Sequence, residues 1–268
     1  MSTPPVVKDA ATVLLLRRAS GGAPGVEVFM QVRASSMAFA AGAAVFPGGS
    51  VDPSDRHGTA EWGLPALGGY EAFINAGAEE LALAGGLVAA AIRESYEECG
   101  VLLAEGPPAR LAQRSGWVTD EDRAALSEHS TSIAEVLQRR GLLPDLASLT
   151  LVDRWITPEG EPRRYDTRFF AAALPAGQEA DDETTETSRS FWVRPAEALE
   201  QFSRGELALM PPTWAQLDRL TRAATLKEAL APATTDVTVP VLEHTEGTVV
   251  AHFWGTEAYR KAGRPQHS

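Results

Sequence analysis

Residues 11–17 (ATVLLLR) form an apolar run closed by a basic residue, a pattern that predicts a strand. Gly21 to Gly25 reads as a turn and Val26 to Arg33 (VEVFMQVR) as the next strand, so the two make a hairpin. Val45 to Asp52 (VFPGGSVD) reads as a short strand running into a Pro-Gly-Gly turn. The stretch from Asp55 to Ala84 is mixed, with several glycines and a helical pattern near Tyr70 to Ala82. Leu87 to Cys99 is rich in Ala and Glu and predicts a helix that Gly100 is placed to end. Thr119 to Arg140 predicts another helix, with Thr119 as N-cap and Asp120, Glu121 and Asp122 in its first turn.

Strand character returns at Leu149 to Thr157 and at Arg164 to Leu174. An acidic loop, Gln178 to Thr187, leads to a brief strand at Phe191 to Val193, and Pro195 opens a helix through Phe202. Pro211 and Pro212 precede a helix to about Leu230, and Val237 to Leu242 with Gly247 to Phe253 make a last hairpin. There is no internal repeat and no stretch long enough for a domain linker. The order predicts a single mixed α/β (α+β) domain over residues 1–268, with helical insertions at about 54–84 and 105–147.

Composition narrows the partners. The chain has 268 residues, 44% hydrophobic, enough for a substantial core, and its 22% charged content speaks against wholesale disorder. A net charge of -12 excludes nucleic acid or an anionic membrane as partners drawn by the global field. Any positive charge offered to a phosphorylated substrate is therefore local: a bound metal or a few arginines. Cys99 is the one cysteine, which rules out an intramolecular disulfide and suits a cytoplasmic location. Met1 to Ala10 lacks a signal-peptide pattern, and no apolar run approaches the ~18 residues of a membrane span.

The chemistry concentrates in Ala91 to Val101, AIRESYEECGV. Glu94, Glu97 and Glu98 stand at i, i+3 and i+4, one face of a helix. Their like charges repel, and they sit at the negative end of the helix dipole, each a cost of a few tenths to about 1 kcal/mol. A divalent cation turns both costs into binding energy, and Mg²⁺, which prefers oxygen ligands, suits the set. Alone, such a triplet is more often a solvated acidic face. The neighbours change that reading. Arg93-Glu94-Ser95-Tyr96-Glu97-Glu98-Cys99-Gly100-Val101 resembles the core of the Nudix box, R-E-U-x-E-E-x-G-U with U a bulky aliphatic. Ser95 is the departure. Phe46-Pro47-Gly48-Gly49 resembles the P-G-G that opens the same box, which here is split by an insertion of about 30 residues, tolerable as a surface loop. The box also expects a glutamate at the position of Gly85; Glu79 or Glu80 would have to replace it.

The split box, the lead-in to Phe46 and the later PRRYDTRFF are similar to the Nudix branch that includes peroxisomal coenzyme A diphosphatases. The coenzyme A signature before F-P-G-G is met at Gly42 and not at Gln31, Ala34 or Ala38. The resemblance implies an α/β/α sandwich around a mixed sheet, with additional C-terminal helices. It implies a hydrolase that cuts a diphosphate linkage in a nucleoside diphosphate derivative, coenzyme A or an acyl-coenzyme A among them. The alternatives are an ADP-ribose or NADH diphosphatase, or an inactive nucleotide-binding module. Carried over by position, Glu94, Glu97 and Glu98 hold Mg²⁺ or Mn²⁺, and Arg93 orients them by a bidentate contact. The general base is a box glutamate or Glu183 or Glu186 of the acidic loop. Arg33, Phe46, Gly48, Gly49, Arg164 and Arg168 are the expected substrate contacts, and Arg163, Arg164 and Arg168 are candidate forks for phosphate. Tyr165, Phe169 and Phe170 are candidates to stack on a base, although aromatics in a strand are more often core. A homodimer follows from family habit alone.

Overall fold

A computed structural model describes residues 5–34, 41–64, 78–106, 119–181, 187–232, 236–245 and 248–263; for 78–81, 244–245 and 248–249 it describes the backbone only. The first half runs β1 (Val7–Arg18), β2 (Val26–Arg33), β3 (Ala43–Val45), β4 (Gly48–Ser50), α1 (Ala78–Cys99), β5 (Ala104–Glu105), α2 (Asp120–Ser127) and α3 (Ile133–Arg140). The second half runs β6 (Leu143–Pro144), β7 (Leu149–Ile156), β8 (Arg164–Ala173), β9 (Thr187–Val193), α4 (Pro195–Ser203), β10 (Ala208–Leu209), α5 (Pro211–Thr221), α6 (Leu226–Ala229), β11 (Val237–Thr238), β12 (Val241–Thr245), β13 (Thr248–His252) and α7 (Thr256–Ala262).

The central sheet is mixed, in the order β10-β3-β2-β1-β8-β7-β11, with β4 added to β1 and β9 to β2. β1 lies in its middle because both of its faces are apolar. Val13 and Leu15 point into a core built with α1, while Leu14 and Leu16 point into a second core built with α4 and α5. The two-residue period of a strand thus feeds two layers at once. β1 is parallel to β8 from Val7↔Arg164 to Leu16↔Ala173 and antiparallel to β2 and β4. β8 repeats the division: Phe170 joins the α1 side and Phe169 the other. The expected sandwich of helices on both faces of a mixed sheet is what the chain forms.

Four expectations change. Helix α1 begins at Ala78 rather than Leu87, and most of the helical stretch near Tyr70 to Ala82 lies outside the described residues. Gly85 and Gly86 do not break it. A side chain at Gly85 would run into Thr59, and one at Gly86 would come within 3.1 Å of Arg56, so this pair lets α1 press on the preceding segment. The helix expected over Thr119 to Arg140 is two helices. Thr119 caps α2 as expected, but His129 turns left-handed (φ 54) and Ser132 caps a fresh start with Glu135. The helix after Pro211 is likewise two, with Thr225 capping α6. In the last hairpin, Val237 pairs instead with Arg154 of β7, and β12 with β13 forms a separate sheet. Pro240 stands between them, where it has no N–H to give a ladder.

Candidate active site

Helix α1 ends where the sequence requires. Gly100 is left-handed (φ 67), its N–H donates to the Tyr96 carbonyl at 3.0 Å, and Val101 N–H donates to Ser95 at 3.2 Å. Ser95, the departure from the box, is fully buried and satisfies its hydroxyl on the Ala91 carbonyl at 2.8 Å. Burial pushes the Cys99 thiol up, so it is a packed residue and not a nucleophile.

Strand β4 brings the second half of the box to α1. Gly48 N–H donates to Glu98 Oε2 at 3.1 Å. Neither Gly48 nor Gly49 has room for a side chain: a Cβ on Gly48 would strike the backbone of Ala11 and Thr12, and one on Gly49 would strike the Glu94 carboxylate. The split box is therefore reassembled in space. Gly49→Ala should displace Glu94 and lower turnover by roughly 10- to 100-fold, the cost of misplacing a reacting group by about 1 Å, with little change in melting temperature because only a side-chain end has to move. Steady-state rates beside a melting curve check this; full activity would show that the close approach carries no function.

Arg93 is the joint of the site. It is 3% exposed and donates to Asp55 through Nε (3.0 Å) and Nη2 (2.8 Å), to the Ser50 carbonyl (3.0 Å) and to Glu94 Oε1 (2.8 Å). Glu97 Oε2 lies 3.6 Å from Nη1. Burial opposes its charge, but the hydrogen bonds from Asp55 and the charges of Glu94, Asp55 and Glu97 outweigh that, and its pKa rises above the ordinary guanidinium value. Asp55 is itself 1% exposed and caps the turn Pro53–Arg56 together with Asp52. Sequence reasoning missed it. D-P-S-D has the composition of a turn, but nothing in a turn signal says which arginine will meet it.

Glu97 is the strained member. Burial, with Glu94, Asp55 and Asp52 adding to it against the pull of Arg93, pushes its pKa up to about 7. Its Oε1 is buried and has no hydrogen-bond partner among the described residues. No three His, Cys, Asp or Glu side chains among the described residues are gathered into a ready-made metal cage. The reason is Arg93, which holds the Glu94 carboxylate to itself, while Gly48 holds that of Glu98. The position of the absent box glutamate, Gly85, is closed by Thr59, which is 2% exposed. Gly85→Glu should therefore destabilise the chain by about 1–3 kcal/mol, as overpacking does, and should not raise activity. Faster turnover from a stably folded variant would disprove this.

These carboxylates line one wall of a cleft of about 1140 Å³, together with Arg33, Phe46, Gly48 and Gly49. Arg33 Nε is buried and has no hydrogen-bond partner among the described residues. Arg164 and Arg168, expected there, are not among the residues that line the cleft. Arg168 is 4% exposed and paired with Asp9 and Asp166, each at 3.1 Å, and Arg164 Nε donates to the Thr157 carbonyl at 3.0 Å. Arg163, the third of the expected phosphate forks, does line the cleft, with Tyr165 and Phe169, whereas Phe170 is buried in the core. Glu183 and Glu186 lie outside the described residues, and the side chains of Glu79 and Glu80 do also. Two further cleft residues were not foreseen. Arg123 donates twice to the Glu97 carbonyl, at 3.0 and 2.9 Å, and to both oxygens of Asp181. It thereby places a cation at the negative end of α1. His129 Nδ1 meets Asp52 Oδ2 at 2.8 Å.

A helix carrying R-E-x-x-E-E over a glycine strand, on a mixed sheet between helical layers, defines a Nudix-class hydrolase. A family model described as the NUDT19 Nudix domain matches residues 76–220. The chain is 31% identical over 271 residues to the acyl-coenzyme A diphosphatase NUDT19 of Gallus gallus, a match covering 82% of this chain and 70% of that one. Against the Xenopus laevis protein of the same name it is 28% identical over 272 residues, covering 82% and 71%. Among solved structures, a NUDIX hydrolase from Alicyclobacillus acidocaldarius is 26% identical with a TM-score of 0.69, covering 87% of this chain and 99% of that one. The chain belongs to the NUDT19 branch of the Nudix hydrolases, and it is an enzyme that hydrolyses a diphosphate linkage. Nudix hydrolases as a class use divalent metal ions. No helix among the described residues is long and apolar enough to cross a membrane.

Proposed function

We propose that this enzyme cleaves the diphosphate linkage of coenzyme A and acyl-coenzyme A, using Mg²⁺ or Mn²⁺ held by Glu94, Glu97 and Glu98. The observation that carries the metal is the buried Oε1 of Glu97, which has no hydrogen-bond partner among the described residues, beside two further carboxylates. An all-oxygen donor set in contact with a phosphate cleft suits a hard cation. When bound, such an ion supplies an acidified water and neutralises charge on phosphate oxygens. The chain does the rest. Arg93, fixed by Asp55, orients Glu94 and Glu97. Gly48 N–H orients Glu98. Arg33 and Arg163, cations in the cleft with no carboxylate partner among the described residues, take the substrate's phosphates. Phe46, on the same wall, gives the substrate an apolar face.

The names of the relatives favour coenzyme A over ADP-ribose or NADH as substrate. Cytoplasmic residence and a homodimer belong to the same proposal, the first resting on a lone buried cysteine and the second on family habit. The test incubates the protein with Mg²⁺ or Mn²⁺ and, separately, coenzyme A, acyl-coenzyme A, ADP-ribose, NADH and a dinucleoside polyphosphate, with products read by mass spectrometry. Adenosine 3′,5′-bisphosphate with a phosphopantetheine or its acyl ester is expected. Preferential splitting of ADP-ribose or NADH would overturn the substrate.

A further inference from the structure

The cleft does not end at the carboxylates. Beside polar residues such as Thr157 and Thr213, its lining includes an apolar group: Trp155, Phe169, Met210, Pro211, Leu242 and Ala251. A diphosphate and its metal have no use for such a group. At about 1140 Å³ the cleft also exceeds the roughly 300–1,000 Å³ of an ordinary small-molecule pocket. The hairpin β12–β13 supplies the outer part of this group. Leu242 and Ala251 are directly paired across it, so they share one face, and both line the cleft. Val241, the neighbour of Leu242, points the other way and is 67% exposed.

The hairpin is held at its base and not along its edge. It forms a two-stranded sheet of its own. Directly after it, Phe253 stands edge-on to Trp155 (5.4 Å), Trp214 (6.3 Å) and Tyr259 (5.9 Å). Trp155 is in turn fixed by its indole N–H, which donates to the buried Asp153 at 2.8 Å. The aromatic cluster thus sets where Leu242 stands relative to the floor of the cleft. The hairpin lies beyond residues 76–220, the stretch the family model matches.

We infer that the β12–β13 hairpin, through Leu242 and Ala251, closes an acyl-chain subsite continuous with the diphosphate site, and that it selects acyl-coenzyme A over free coenzyme A. The inference rests on the coenzyme A reading of the substrate. The thioester lies at the far end of the pantetheine arm from the bond that breaks. An acyl chain in this lobe is therefore held equally in the ground state and the transition state, which lowers KM and leaves kcat unchanged. Burial of apolar chain lowers KM by at most roughly fourfold for each methylene that fits.

The experiment measures kcat and KM with Mg²⁺ for free coenzyme A and for saturated acyl-coenzyme A esters of increasing length, on wild type, Leu242→Ser and Leu242→Trp. Melting curves confirm that each variant is folded. Wild type should show KM falling with chain length at constant kcat. Leu242→Ser should flatten that trend and Leu242→Trp should cut it off at shorter chains, both leaving KM for free coenzyme A unchanged. If a folded Leu242 variant raises KM for free coenzyme A as much as for the esters, the lobe holds a part common to all of them and the inference falls. No dependence on chain length in wild type also overturns it, while the coenzyme A reading survives. No cleavage of any coenzyme A species removes that reading and the inference with it. Should Leu242→Ser fail to fold, Leu242→Trp together with Ala251→Leu, which narrows the lobe from the paired position, decides the matter on the same readout.

Discussion

Glu97→Gln/Glu98→Gln should lose roughly 10³-fold or more in kcat while melting at or above the wild-type temperature. The loss follows from removing two anionic oxygens at the point where a cation must stabilise several kcal/mol of developing charge, about 1.4 kcal/mol for each factor of ten. The stability follows from Glu97 itself. A carboxyl whose pKa burial and like charges have pushed up to about 7 is ionised at neutral pH only at a cost, and the amide removes that cost. At position 98 the amide oxygen still accepts from Gly48 N–H, so the strand remains docked on the helix. Initial rates and a thermal melt measure the two quantities separately. A double variant within about tenfold of wild-type activity would take the metal away from these residues.

The second large effect is on folding. Asp55→Ala leaves the Arg93 guanidinium 3% exposed with two of its bonds gone. Breaking a buried ion pair from one side costs about 3–5 kcal/mol, which for a chain of this size lowers the melting temperature by on the order of 10 °C. Activity should fall as well, because Arg93 is then free to shift Glu94. Asp55→Leu/Arg93→Met separates the two roles. Replacing both partners by apolar groups should recover much of the stability. It should not recover activity, because nothing then orients Glu94. Asp55→Ala melting within about 2 °C of wild type would show that the pair does not brace the site.

What could be read from the sequence divides along a physical line. Glu94, Glu97, Glu98 and Gly100 were legible because their chemistry and spacing sit on one continuous helix, where three and four residues apart means side by side. Gly48 and Gly49 were legible as a motif, but their reason became visible only when α1 stood against them, since a side chain at Gly49 meets Glu94 across an insertion. Arg164 and Arg168 show where period-two reasoning stops. Alternation assigns a face of β8 but not an ion partner, and Asp9, brought alongside by the parallel register of β1, claims Arg168. Asp55, Arg123 and His129 carry no local signal of a place in the site, because each acquires it from an element distant in sequence. The glycine pair at 85 and 86 lies inside α1 although a glycine in a helix is costly, and close packing against Thr59 and Arg56 sets that cost off.

The central register also fixes an order of assembly. The carboxylate wall is made of β1, β4 and α1, all supplied by the first hundred residues. The facing wall waits for β7, β8 and the terminal hairpin, and the Asp9–Arg168 contact that helps join β8 to β1 spans 159 residues. Contacts that distant pay their loop-closure entropy before they return anything, so they form late. A chain emerging from the ribosome therefore carries its carboxylate wall well before it has the facing wall of the cleft. Until β8 arrives, β1 presents an unpaired edge. Its stretch of leucines at 14–16 makes that interval the point in the life of this enzyme when association with the wrong strand is most favoured.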